Sequence, residues 1–374
     1  MGKSFQEEYR VTNAPQPSGE RSVLCAGQLG RTWKHRSAAD GRSGKIRACG
    51  KWLLSLCVMA LFAAAGPAAA DAQSANYPNR PIQVYVPFAG GSASDVITRI
   101  LLNRMATFLG QPIVVDNRPG AGGNIGTAAG AHAAPDGYTL VMSTSGPLAA
   151  NKALFKQLGY DPQKDFEPIC LFASLPNIVV INAKLQPKTL RELIDYAKQH
   201  PKELNYGTVG VGSSQHLAAA YFEQLTGTEL THVPYRNIAG YTPDFIAGQV
   251  PLGFQLLPNV IGLIKSGDAR ALAVASSTRM TALPDVPTAA EAGLQNYESA
   301  AWLALLAPAN TDKAIVEKLF AAAEEALKDP KVRALFTEQG AEPTLLVPAD
   351  LKKFMASETD KWSGIIQKLG IDPM

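Results

Sequence analysis

Ser213 and His216 stand three residues apart in GVGSSQH, and a serine beside a histidine is the pair from which acyl-transfer nucleophiles are made. Two glycine-rich segments, VPFAGGSASD (residues 86–95) and GAGGNIG (residues 120–126), join apolar runs to helical patterns. A strand, a glycine turn and a helix N-terminus together hold anions, nucleotide phosphates among them. Beyond residue 70 there are four histidines, His132, His200, His216 and His232, which offer nitrogen ligands to a metal. Hydrolysis, nucleotide binding and metal binding are therefore the three chemistries to test against spacing.

Each weakens. No G-x-S-x-G elbow exists: Ser145 lies in STSGP and Ser213 in GVGSSQ. A catalytic triad brings distant residues together around an orienting acid, which two residues three apart at a helix start do not provide. A P-loop needs G-x-x-x-x-G-K-[ST], and AGGSASD has no lysine. GAGGNIG is one residue out of register for a dinucleotide fingerprint, and Gly210-x-Gly212-x-x-Gln215 lacks the third glycine. No two histidines have H-x-x-x-H spacing, and neither cysteine nor paired carboxylates join them. No enzyme activity, metal or cofactor is expected, and the question becomes which anion the glycine loops hold.

The elements that must position those loops alternate along the chain. Ile82–Val86 reads as a strand and Asp95–Leu109 as a helix opened by the capping-box pattern Ser92-x-x-Asp95. Pro112–Val115 and Tyr138–Ser143 are further strands, and Phe172–Asn182 reads as a strand passing into a second domain. Thr189-x-x-Glu192 opens the helix Leu190–His200. Leu204–Tyr206 then repeats the opening theme of strand, glycine loop and helix, followed by short strands at Thr231–Pro234, Gln249–Phe254 and Ala269–Ala275. Ser299–Ala307 reads as a crossing back, with Thr311–Leu327 and Ala349–Leu369 as closing helices. This alternation predicts an α/β fold on mostly parallel sheets, with residues 73–173 plus 300–374 as one domain and 174–299 as the other. A cleft between two such domains, at the carboxyl ends of strands, is the expected ligand site.

Residues 1–72 read as a leader. Lys45, Arg47 and Lys51 precede the apolar run Trp52–Ala65, and Gly66-Pro67 and AAADAQ follow. That order predicts a secretory signal peptide cleaved after Ala70 or Ala72, with a start codon set too far upstream, and a periplasmic mature protein. The run is too short for a membrane span, which needs about 20 apolar residues. Residues 1–70 hold ten Lys/Arg against four Asp/Glu, and the rest twenty-five against twenty-eight, so the overall charge of +3 belongs to the leader. A mildly acidic body excludes a nucleic-acid partner, which needs clustered basic residues. Three of the four cysteines lie in the leader; Cys170, in PICLFA, is left to be a buried apolar residue.

The loops also carry a resemblance. PFAGGSASD, VVDNRPGAGGNIG and APDGYTL, then YGTVGVGSSQHLAAAYF, THVPYRN, IKSGDARALAVAS and RMTALPDVPTAAEAG, follow the order of the Bug family of TctC-like periplasmic receptors across residues 76–374. The resemblance implies a type II periplasmic-binding (Venus-flytrap) fold that captures a small organic carboxylate. It implies a monomer that delivers its ligand to the membrane subunits of a tripartite tricarboxylate transporter; the alternative is a subunit presenting ligand to a membrane histidine kinase. In the family two facing loops grip the carboxylate. Carried over, one loop is Ala89, Gly90, Gly91, Ser92, Ser94 and Asp95, and the other is Gly210, Gly212, Ser213, Ser214 and His216. Ser143, Thr144 and Ser145 match a further lining position, and Arg236 in VPYRN is a candidate cleft residue. Unpaired N–H groups and the positive ends of helix dipoles suit a carboxylate without any arginine in the loop.

One departure stands out. Where the family writes G-Q-V-D-V-x-F-D, this chain has GQVPLGFQ, with Pro251 and Gln255 in place of two acids. If the second position faces the cleft, a partner for a ligand amine is gone, and the expected ligand carries no ammonium group.

Overall fold

The computed structural model describes residues 76–374 apart from 369 and 372; the leader and its cleavage point near Ala70 or Ala72 lie outside the described residues. In chain order the first elements are β1 (Ile82–Val86), α1 (Ala93–Leu109), β2 (Ile113–Asn117), α2 (Asn124–Ala131) and β3 (Thr139–Thr144). A π-helical turn, Gly146–Ala150, leads into α3 (Asn151–Leu154) and then β4 (Phe166–Pro176). Next come β5 (Ile178–Asn182), α4 (Leu190–Gln199), β6 (Asn205–Thr208), α5 (Ser214–Thr226) and β7 (Thr231–Pro234). They are followed by α6 (Ile238–Ala247), β8 (Leu252–Gln255), α7 (Leu257–Ser266) and β9 (Ala269–Val274). The chain closes with β10 (Ala300–Pro308), α8 (Lys313–Lys328), α9 (Pro330–Glu338), β11 (Glu342–Leu346) and α10 (Pro348–Lys368).

Two sheets organise these elements, one of order β11-β4-β10-β3-β1-β2 and one of order β7-β6-β8-β5-β9. Each contains a parallel trio with its earliest strand in the middle. In the first, β1 pairs with β2 and β3; in the second, β6 pairs with β7 and β8. The two-layered α/β architecture is as the sequence predicts, but the sheets are mixed rather than mostly parallel. Strands joined by a crossover helix run parallel, whereas those the chain enters straight from the other lobe have no helix to turn them round. β5 and β10 are of that kind and pair antiparallel with their neighbours.

Local sequence accounts for the first unit. IQVYV alternates so that Ile82, Val84 and Val86 are buried. In α1, Ile97, Leu101, Leu102, Met105 and Leu109 form the buried face, and Gly110 ends the helix in the left-handed conformation. Ser92 caps α1 by accepting from Asp95 N–H, so the helix starts at Ala93, two residues before the position read from sequence. α1 and α8 bury one face of the first sheet in a core with Leu303, Leu305 and Leu319. Cys170 is wholly enclosed there, and burial pushes its thiol pKa up to about 12.

The chain passes between sheets at Asn177 and returns between Ala275 and Ser299. These three residues hold one another: Asn177 N–H donates to Ser299 O (2.8 Å), Ala275 N–H to Asn177 O (2.8 Å), and Ser299 N–H to Ala275 O (3.0 Å). Two adjacent crossings with so few bonds make a hinge, the place where a two-lobed protein absorbs rotation.

Candidate functional site

A strand order of 2-1-3 places the carboxyl ends of neighbouring strands where their following helices diverge, and a crevice opens there. Both sheets have such a point, and the two crevices face each other. The cleft between them is narrow, its free volume of about 20 Å³ being room for about one water molecule, so the lobes lie close together. Ala89 and Ser92 come to it from the loop after β1, Ser94 from the start of α1, Thr144 from the end of β3, Ser214 and Gln215 from the start of α5, and Arg236 and Asn237 from the loop after β7.

What converges here is mainly backbone. The starts of α1, α2, α5, α6 and α7 all border the cleft, through Ala93, Gly123, Ser214, Ile238 and Leu256. A helix leaves its first N–H groups without intrahelical acceptors and carries roughly half a positive charge at that end. In α1 and α5 the cap serine accepts only from the third residue, Asp95 N–H and His216 N–H respectively. The intervening N–H groups of Ser94, Ser214 and Gln215 have no acceptor within their own helices. No acidic residue lines the cleft, and Arg236 is an exposed cation at its edge with no carboxylate partner among the described residues.

Several residues singled out from the sequence build the loops rather than line the cleft. Asp95 is buried; its Oδ2 accepts from Gly91 N–H (2.9 Å), its Oδ1 from Asn117 Nδ2 (2.9 Å), and Arg99 Nε lies 2.9 Å from both oxygens. Desolvation disfavours its charge, but Arg99, Asn117 and Gly91 outweigh that and hold the pKa below the usual carboxylate range. Gly91 has φ +78°, a conformation that only glycine adopts without strain, and Gly90 lies against Asn117. Asp95→Ala removes the acceptor of Gly91 N–H and Arg99 Nε and leaves Asn117 Nδ2 with Phe88 O alone, and we expect a loss of about 2–4 kcal/mol of folding stability, read from the midpoint of a urea titration. Ser143 Oγ is engaged with Thr127 Oγ1 at 2.7 Å, and Ser145 Oγ is buried without a hydrogen-bond partner among the described residues.

The second loop is built similarly. Ser213 Oγ donates to Gly210 O (2.7 Å) as it caps α5, so the hydroxyl is spent on the turn. Gly212 N–H points to His216 Nδ1 at 3.4 Å, and Thr208 Oγ1 ties Gly210 N–H (3.1 Å) to His232 Nε2 (2.7 Å). The two imidazoles lie 4.6 Å apart, and His232 stacks on Tyr206. Burial lowers the pKa of His216 to about 4; burial and the neighbouring His216 lower that of His232 to about 3, so both are neutral. His216 therefore supports the loop from behind. Gln255 is also behind the cleft, with no exposed surface and its Nε2 donating to Gly207 O (3.0 Å).

The lobes meet through glycine. A Cβ on Gly122 would lie 2.0 Å from Val211 O, one on Gly146 2.0 Å from Gly212 O, and one on Gly212 2.0 Å from Asn151 Oδ1. Gly122, Gly146 and Asn151 belong to the first lobe and Val211 and Gly212 to the second, so the loops are pressed backbone to backbone across the cleft. Sequence reading missed Asn237, Ile238 and Asn259 at the cleft. Asn237 could have been found as an Asn cap, since its Oδ1 accepts from Gly240 N–H (3.0 Å); Asn259, following Pro258, carries no such signal.

The family described as tripartite tricarboxylate transporter family receptor matches residues 97–371. The chain is 38% identical over 316 residues to protein BugT of Bordetella pertussis, covering 84% of this chain and 97% of that one. Among solved structures, an R. palustris protein with adipate is 35% identical with a TM-score of 0.77, covering 80% of this chain and 100% of the other. MatC from Rhodopseudomonas palustris with bound malate is 35% identical with a TM-score of 0.72, covering 78% and 100%.

Proposed function

Because the chain belongs to the tripartite tricarboxylate transporter receptor family, we propose that it captures a small organic carboxylate between its lobes and hands it to the membrane subunits of such a transporter. Receptors of this family are periplasmic solute-binding proteins, and the fold and cleft are those of a binder. The observation that carries the reading is the convergence of five helix starts on a cleft with no acid in its lining. The N–H groups of Ser94, Ser214 and Gln215 are the donors we assign to the carboxylate, with Arg236 at the edge for a second one. The relatives with adipate and malate bind dicarboxylates. A hydrogen bond to a charged group contributes about 1.5–3 kcal/mol net and a helix dipole about 0.3–2. Four or five such contacts reach the roughly −8 kcal/mol of micromolar binding after ordering costs.

Thermal shift and calorimetric titration with organic acids test this. At a millimolar concentration a micromolar ligand stabilises by about 4 kcal/mol, which a melting curve resolves. Dicarboxylates should raise the melting temperature, and their dimethyl esters should not. Esters that bind as well as the acids would overturn the carboxylate assignment. The ligand should also lack an ammonium group, since no carboxylate faces the cleft to pair with one. Aspartate binding more tightly than succinate would contradict that.

A further inference from the structure

Ala93 N–H, at the first position of α1, donates across the cleft to Asn259 Oδ1 at 3.0 Å. Among the described residues this is the one hydrogen bond that joins the lobes outside the hinge. It does not end there. Asn259 Nδ2 donates to Gln255 Oε1 (3.3 Å), and Gln255 Nε2 donates to the carbonyl of Gly207 (3.0 Å) in β6. Asn259 borders the cleft, whereas Gln255 is fully enclosed.

The direction of this chain is fixed at both ends. A backbone N–H can only donate and a backbone carbonyl can only accept, so turning either carboxamide over sets two oxygens or two N–H groups against each other. Each amide thus has one permitted orientation, with its oxygen towards the first lobe. Gly207 directly precedes Thr208 and the loop that faces Gly122 and Gly146, so the relay ends at the root of the second lobe's contact surface. We propose that Asn259 and Gln255 form a closure latch, a carboxamide relay that holds the start of α1 against the second lobe and couples closure to β6. The latch goes beyond the carboxylate reading and stands or falls separately from it, because it can be tested without any ligand. It also explains why position 255 carries an amide here: a carboxylate there would face Gly207 O without a proton to give.

Hydrogen exchange at the Ala93 amide in the purified protein at pH 7 reads the latch directly. Were Asn259 only a cap for α1, Asn259→Asp would slow exchange, since helix N-termini favour an anionic acceptor. In the relay, an aspartate at 259 has no N–H for Gln255 Oε1, and exchange should be about 3- to 10-fold faster, the effect of losing one ordinary hydrogen bond. Gln255→Glu should accelerate it similarly without touching the Ala93 contact, and small-angle scattering should show both variants more open. Slower or unchanged exchange in Asn259→Asp would overturn the latch. Asn259 lies at the cleft surface, so that variant decides the matter even where Gln255→Glu fails to fold.

Discussion

Gly146→Ala is expected to lower ligand affinity about 100-fold while leaving the unfolding midpoint nearly unchanged. Its added Cβ would lie 2.0 Å from Gly212 O in the facing lobe, where real contacts of this kind stay beyond 3 Å. Gly146 does not occupy the left-handed region, so alanine strains neither the π-helical turn nor the first lobe. The carbonyl it meets is backbone and cannot swing aside, and the relief available is for the lobes to stand about an ångström further apart. At that distance hydrogen bonds from the second lobe to a ligand held by the first are lost, since such bonds fail beyond about 3.5 Å. Two charge-assisted bonds at about 1.5 kcal/mol each, the low end of their range, give the stated factor. Calorimetric titration with the acid that gives the largest thermal shift measures it, alongside urea unfolding. Gly262→Ala, in α7 with open space around the added methyl, is the control and should bind normally. A Gly146→Ala protein with wild-type affinity would show that the lobes do not need this approach to grip.

Stability should fall on acidification because of His216 and His232. Both have folded-state pKa values, about 4 and about 3, below the ordinary 6.5, so the unfolded chain binds more protons between those limits. Stability is then fully present above pH 6.5 and declines as the pH drops towards 4. The loss between pH 7.5 and pH 5 is about 3–4 kcal/mol for the pair. Glu223 acts the other way: burial foremost, with the nearby Glu229, raises its pKa to about 7, so its contribution is present in acid and fades as the pH rises through neutrality. Glu223→Gln should therefore steepen the acid loss, and His232→Asn should flatten it, in urea titrations at the two pH values. Parallel curves in all three proteins would show that the imidazoles do not govern acid stability. Protonation of His216 at Nδ1 also sets a donor against Gly212 N–H, so ligand affinity should fall as the pH drops through about 4, where His216 protonates in the folded protein.

The parts legible beforehand were those in which local chemistry and tertiary role coincide. Ser92-x-x-Asp95 and Thr189-x-x-Glu192 read as helix starts because a cap acts within one turn, and both capping bonds form. The alternation of IQVYV declared a half-buried strand and formed one. The glycine loops were legible as turns that open helices, yet the division of labour within them was not. Asp95, Ser213 and His216 look like ligand contacts in one dimension; in three, each is consumed by a backbone group of its own loop. Nor could spacing reveal that Gly122, Gly146 and Gly212 are small for the sake of the opposite lobe, since those partners lie 61 to 89 residues away in the chain. Asn259 shows the limit most sharply: a single carboxamide after a proline, whose meaning depends on Ala93, 166 positions earlier.

The five helix starts around the cleft carry a lesson about inheritance. Main-chain N–H groups are supplied at every position except proline, and no single substitution other than one to proline deletes them. The proposed preference for anions is thereby written into topology, where random change hardly reaches it. Side chains such as Arg236 and Phe88, and the apolar wall at Leu256, are left at liberty to drift. Descendants of such a chain can exchange one acid for another by a few replacements while the grip on charge passes down intact.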